Sequence, residues 1–346
     1  MNIRGMQMDQ ELMMYILAMY NQPTNTGQIY NVLIGRTTPT MLYLVEKKQW
    51  HGHFGLFNDV NRKQLDQLQE LFLAKETIRP VDKKFELTAF GQQQLERLFN
   101  PAWLIPSMGF FTARYRQYVW DFFQLITQIV SEKIFSNRQF SPMTTSPTLQ
   151  SEAKLLLKHA EFDSEQWVIE VVRLFEQFPD PLGDLLSNEL AGNGVIGSTD
   201  KQLQAHFDLS AFTFFLKKQG AIQLLLNRID DDFPQLSLLL ATCEAQSMYR
   251  LSPSTFETAQ YLSNGVSPSA IARERRLKLN TIHEHIIEMA FVLPDFSYRS
   301  FIPDSVYTRL DEIYRTGDFS YSKVKEQLDP LVFMHYRLFE LERMRE

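Results

Sequence analysis

Apolar side chains recur along most of this chain at helical rather than strand spacing. Phe122, Ile126, Ile129 and Val130 stand at i, i+4, i+7 and i+8, continuing to Ile134, which predicts one buried helix face. Within residues 167–178, Val168, Val171, Val172 and Phe175 predict a second stripe with charges opposite. Residues 211–216 and 221–227 are too uniformly apolar to phase and read as buried helices. Nearer the start, residues 9–20, 26–34, 38–49 and 62–74 read as four more helices, with Gly35 at a turn. Strand alternation is confined to residues 84–88, where Phe85 and Leu87 alternate with Glu86 and Thr88.

That strand leaves a charged hairpin, Asp82-Lys83-Lys84, and runs into the pattern F-x-L-T-x-x-G-x-x-x-L. Thr88 is placed to cap the following helix, and Gly91 permits it to pack closely. This is the arrangement of a winged helix. As a nucleic-acid site it would set Lys83 and Lys84 on the wing and Arg36, Thr37 and Thr38 at the preceding helix start. The same unit equally serves protein docking.

Breaks at residues 100–107, which carry Pro101 and Pro106, and at 250–253 suggest three segments. The expected architecture is mainly α: a winged-helix-like domain at 1–100, an all-helical domain at 101–250 and a helix-turn-helix domain at 251–346. Few Gly and Pro residues (14 and 15) argue against a loop-dense all-β fold. The single cysteine, Cys243, excludes an internal disulfide, and the longest apolar run, residues 12–20, is far short of the roughly 20 residues of a membrane helix. With Asp9 and Glu11 before that run and no small-residue cleavage site, no signal peptide is read, and a cytoplasmic location is expected. The formal net charge of −6 would ordinarily argue against DNA, but it is uneven. Residues 101–250 supply −5, residues 251–346 supply −2, and residues 1–100 carry +1.

The sharpest punctuation lies at 252–292. Ser252-Pro253 starts a helix expected to carry Phe256, Ala259 and Leu262 inward, and Asn264-Gly265 stops it. Ser267-Pro268 caps a short second helix through Ile271 and Ala272. Residues 277–279 form a turn, and a third helix begins at Asn280-Thr281 and carries Ile282, Ile286 and Met289 inward. Such a tri-helical unit sets its third helix to enter a major groove. His285 falls at the edge of the buried face, and Glu284 and Glu288 are expected on the outer one. Asn280, Thr281 and His283 are left to reach base edges or phosphates. Arg273, Arg275, Arg276 and Lys278, against Glu274 alone, make a local basic patch for phosphates.

Residues 271–286, IARERRLKLNTIHEHI, resemble the I-A-x-E-R-G-L-x-x-x-T-I-x-x-H-L core of a helix-turn-helix domain often found at the C-terminus of RecQ-type DNA helicases. The N-T-[IV]-x-x-H core is also similar to response-regulator DNA-binding domains. Gly317, Phe319, Leu328 and Tyr336-Arg337-Leu338 extend the helicase-associated likeness, while Arg276 stands where that pattern has glycine. The whole length resembles the YpbB-like proteins of low-GC Gram-positive bacteria, typically encoded beside a RecQ-type helicase. The likeness is strongest over 252–338, with a second stretch over 26–98. It implies an accessory partner of a RecQ-type helicase in DNA repair or recombination.

Other motifs carry little chemistry. There is no G-x-x-x-x-G-K-[ST] loop and no D-E-x-H box. Gly192–Gly197 matches G-x-G-x-x-G but follows a helical stretch rather than a strand, which favours an ordinary loop. Asp230-Asp231-Asp232 reads as a helix end and N-cap rather than a cation site. His51 and His53 lack a third ligand, and His283 and His285 fall about 200° apart on their helix, at about 100° per residue. No enzymatic set emerges, and neither cofactor nor metal is expected. Three readings stay open: a non-enzymatic DNA-associated adaptor with weak or partner-assisted binding, a protein-interaction scaffold that includes a possible homodimer, and a helix-turn-helix regulator of a palindromic operator.

Overall fold

A computed structural model describes residues 10–57, 60–105, 109–245, 251–293 and 295–345. Asp9 of the first expected helix, Pro106 and Ser107 of the first break and Arg250 of the second lie outside the described residues. The chain is mainly helical, with a C-terminal helix-turn-helix domain and one small antiparallel hairpin. In order, its elements are α1 (Gln10–Ala18), α2 (Thr26–Leu33), α3 (Pro39–Lys48), α4 (Arg62–Ala74), β1 (Ile78–Val81), β2 (Lys84–Leu87), α5 (Ala89–Leu98), α6 (Ala113–Ile134), α7 (Pro147–Leu156) and α8 (Ser164–Glu176). There follow α9 (Leu182–Ser187), α10 (Asp200–His206), α11 (Ala211–Arg228), α12 (Pro234–Ala245), α13 (Pro253–Ser263), α14 (Pro268–Glu274), α15 (Leu279–Val292), α16 (Asp304–Tyr314), α17 (Tyr321–Gln327) and α18 (Phe333–Arg345).

These residues group into two compact units. One comprises Met1–Gly35 and Lys48–Ser247, the other Arg36–Lys47 and Met248–Glu346. The first two expected segments thus share a unit, and most of α3 leaves its sequence neighbours for the C-terminal one. The reason is local chemistry: the Tyr43 hydroxyl donates to Glu340 at 3.1 Å, the Arg337 guanidinium lies 3.7 Å over the Tyr43 ring, and Arg345 pairs with Glu46 at 3.2 Å.

In the larger unit, Asn25 and Gln28 close a capping box at the start of α2. The hairpin pairs Ile78 with Leu87 and Val81 with Lys84. Its turn begins at Asp82, at φ 55°, a conformation Asp tolerates better than most residues. As the sequence pattern predicts, the Thr88 hydroxyl accepts the Gly91 N–H at 3.0 Å. A Cβ at Gly91 would lie 2.0 Å from the Thr77 carbonyl oxygen, so only glycine fits there. The long helices α6 and α11 pack together, α11 joining the two stretches too apolar to phase. Between them Arg116 is fully buried, donating to Gln219, Gln223 and the Phe111 carbonyl. Cys243 is buried in α12, as its apolar setting predicts.

Helix α8 is phased differently from its expected stripe. Trp167, Glu170, Val171 and Leu174 are buried, while Val168, Ile169 and Val172 are 40%, 57% and 53% exposed. The inward charge explains the shift. The Glu170 carboxylate accepts the N–H groups of Gln235 and Leu236 at 2.9 and 3.1 Å, capping α12 from another helix. The Asp230-Asp231-Asp232 run ends α11 as expected but does not supply the cap of α12; within it the Asp230 carboxylate accepts the N–H of Asp232.

Candidate nucleic-acid interface

Helices α13, α14 and α15 pack around Ile271, Ile282 and Ile286, each fully buried, with Met289 beneath them. Ser252 caps α13 and Ser267 caps α14, both with proline in the first turn. Helix α13 is closed by Gly265 at φ 75°. Helix α14 closes the same way on Arg276 at φ 53°: Leu277 N–H returns to the Ala272 carbonyl at 2.9 Å and Arg276 N–H to Arg273 at 3.2 Å. The side chain at the usual glycine position therefore leaves the turn intact.

The inward face of α13 is one position off the expected one. Thr255 and Thr258 are fully buried, whereas Phe256, Ala259 and Leu262 are only partly so. Both threonines are buried because α15 supplies polar partners. Glu288 is not on the outer face: it is 5% exposed, and its carboxylate accepts the Ser252 N–H and the Thr255 hydroxyl, each at 2.6 Å. Burial pushes its carboxyl above the ordinary range, opposed by these bonds and by one from Thr37. Thr258 shares a 2.7 Å hydrogen bond with Nδ1 of His285, which is buried as expected for the edge of that face.

The basic run divides accordingly. Arg273, Arg276 and Lys278 are exposed. Arg275 turns inward: its side chain is 7% exposed, pairs with Glu257 at 2.7 Å, donates to the Ser254 carbonyl at 2.8 Å and also bonds Thr258. Lys278 occupies the N-cap of α15 and makes no side-chain cap bond there. Asn280 is exposed, with Thr281 and His283 partly buried beside it. Three cations and a polar helix start thus lie between the last turn of α14 and the first of α15.

A protein-family model described as a helix-turn-helix domain matches residues 254–339. Over 298 residues the chain is 20% identical to Protein YpbB of Bacillus subtilis (strain 168), covering 83% of each chain. No solved structure matches it significantly. The C-terminal residues form a helix-turn-helix domain, and such a domain suggests a role in DNA binding.

The remaining candidates are scattered. Arg36, Thr37 and Thr38 belong to the C-terminal unit, whereas Lys83 and Lys84 belong to the other, so the structure does not gather them on one unit. Thr37 bonds Glu288, and the Thr38 carbonyl accepts from the first turn of α3. Lys83 and Lys84 are exposed on the hairpin. Near them the Lys48 ammonium donates to the Pro23 carbonyl at 3.0 Å and lies 4.4 Å over Trp50. Burial, and then the charge of Lys84, lower its pKa to about 8.

The two histidine pairs also separate. His51 packs edge-on against Phe110, whereas His53 Nδ1 shares a 2.5 Å hydrogen bond with the Tyr15 hydroxyl, and burial lowers its pKa to about 4. Gly192–Gly197 forms a tight loop bridging Gly192 and Val195. Among the described residues, no group of three or more His, Cys, Asp or Glu is placed to hold a metal ion, and no helix is long and apolar enough to cross a membrane.

Proposed function

We propose that the C-terminal unit binds duplex DNA through the α14–α15 turn, and that the chain is a non-enzymatic accessory protein rather than a catalyst. The observation that carries this reading is the exposure of Arg273, Arg276 and Lys278 between the last turn of α14 and the start of α15. Phosphates bind cations and uncapped helix N-termini together. Arg275 acts in this reading as an internal brace, and Asn280, Thr281 and His283 face the groove. The resemblance of residues 271–286 to helicase-associated helix-turn-helix domains supports placing this DNA contact beside a RecQ-type helicase in repair or recombination, within the cytoplasm.

Fluorescence anisotropy with a labelled duplex tests the proposal. Each phosphate contact contributes roughly −0.9 to the slope of log K against log salt. Three contacts therefore give a slope near −3 and roughly a 40-fold loss of affinity between 50 and 200 mM salt. Replacing Arg273, Arg276 and Lys278 together by alanine should abolish that slope. A flat salt response in the unmodified protein, or no binding at low salt, would sink the reading.

A second reading, a protein-docking scaffold, is favoured by the apolar outer face of α8, where Val168, Ile169 and Val172 lie exposed. Its mark is capture of the helicase that survives both nuclease and high salt and is lost when those three residues become serine.

A further inference from the structure

A groove of about 430 Å³ opens beside the recognition helix within the C-terminal unit. His283 of α15 forms one wall, Pro268 at the start of α14 another, and Met334 and His335 at the start of α18 a third. Ser300, Phe301 and Pro303 close the remaining side. Its volume lies near the lower end of the roughly 300–1,000 Å³ of small-molecule sites, room for one nucleotide but not for a helix. One lining ring is already stacked: Phe301 lies parallel to Phe296, with centroids 5.2 Å apart and planes within 10°. A further flat ring would extend that stack, and a nucleobase is the flat ring that DNA supplies.

The polar groups suit a base better than a phosphate. Burial lowers the pKa of His283 and of His335, and the nearness of His283 lowers that of His335 further. Both imidazoles are therefore neutral near pH 7, and each offers one N–H donor and one nitrogen acceptor, which is what the edge of a base requires. No carboxylate is among the lining residues to repel a nearby backbone. Two imidazoles alone give a metal ion too few ligands for a closed site.

A base within an intact duplex shows only its groove edge, so one that enters a groove in the protein has to leave the stack. Resting on the DNA reading above, we infer that this groove takes one unpaired nucleobase from a strand leaving the duplex at α15, so that the unit prefers DNA with a single-strand junction over a blunt duplex. Phe301 stacks on the base, and His283 and His335 hydrogen-bond its edge.

The test compares a blunt duplex with the same duplex carrying a short single-stranded overhang. The first unpaired base is 2-aminopurine, whose fluorescence falls when it stacks. Stacking worth ~1–3 kcal/mol per base corresponds to roughly 5- to 150-fold tighter binding of the junction, with quenching of the probe. Both the preference and the quenching should vanish in Phe301→Ala and in His335→Ala, while affinity for the blunt duplex and the circular dichroism stay unchanged. Equal affinity for the two DNAs with an unquenched probe overturns the groove assignment and leaves duplex binding standing. A preference that survives both substitutions in folded protein also overturns it. Failure to bind either DNA at low salt overturns the underlying reading as well.

Discussion

Arg276 holds a left-handed backbone conformation, φ 53°, that closes α14 and that a glycine would hold without strain. For a side-chain-bearing residue this conformation costs roughly 1–2 kcal/mol, partly offset by the freedom glycine has in the unfolded chain. Arg276→Gly should therefore stabilise the C-terminal unit by about 1 kcal/mol, read as a raised urea midpoint. It should also make the salt slope of DNA binding shallower by about one, since one phosphate contact is removed. If stability rises while the slope stays fixed, Arg276 is a turn residue without a part in binding. Arg275, its neighbour, behaves oppositely: its guanidinium braces α13 through Glu257 and the Ser254 carbonyl, so Arg275→Ala should lower stability without touching the slope. Adjacent positions in one basic run thus separate into surface charge and internal strut.

A carboxylate from another helix supports the start of α12 and of α13, in the second case by holding the cap residue itself. Glu170 of α8 takes the first N–H groups of α12, and Glu288 of α15 takes the N-cap Ser252 and then Thr255 of α13. Glu288→Gln keeps the shape but turns one acceptor into a donor facing donors, which should cost roughly 1–3 kcal/mol for each buried group left unsatisfied. A urea melt showing less than about 0.5 kcal/mol of change would contradict the capping role. The sign of the pH effect follows from burial. With its folded pKa above the ordinary 4.5, Glu288 takes up a proton in the folded unit first, so its contribution to stability grows as pH falls from above that folded pKa towards 4.5.

These caps also explain which elements were legible. Helix starts at Ser252, Ser267 and Thr88 were readable because the capping side chain is local to the N–H it serves. The faces of α8 and α13 were not, because Glu170, Thr255 and Thr258 are polar residues buried by partners 27 to 66 positions away. A pattern of apolar spacing treats such residues as solvent-facing and rotates the predicted stripe by one position. The wheel put Asn280, Thr281 and His283 off the buried face of α15, and there Asn280 is exposed and Thr281 and His283 are half-buried. The groove joining His283 to His335 was not legible, since it needs α18 folded back beside α15.

The chain's grouping into two units departs from its linear order at one place, residues 36–47. Helix α3 is encoded among the N-terminal helices yet hydrogen-bonds with α18, through Tyr43 to Glu340 and through Glu46 to Arg345. Leu42 and Val45 within it are fully buried. Burying two such side chains is worth roughly 1.5–3 kcal/mol each, which is a large share of the stability of a unit this size. Residues 248–346 expressed alone should therefore melt at a lower temperature than the same unit in the intact chain. A synthetic peptide of residues 36–48 added in trans should raise that melting temperature in proportion to the logarithm of its concentration, by mass action. The Leu42→Asp version of the peptide should do nothing, because a carboxylate cannot enter a buried apolar position without a partner. A fragment as stable without the peptide as with it would mean that α3 is a passive passenger. It would also mean that the helix-turn-helix domain is complete within residues 248–346, which contain the span of its family model, 254–339.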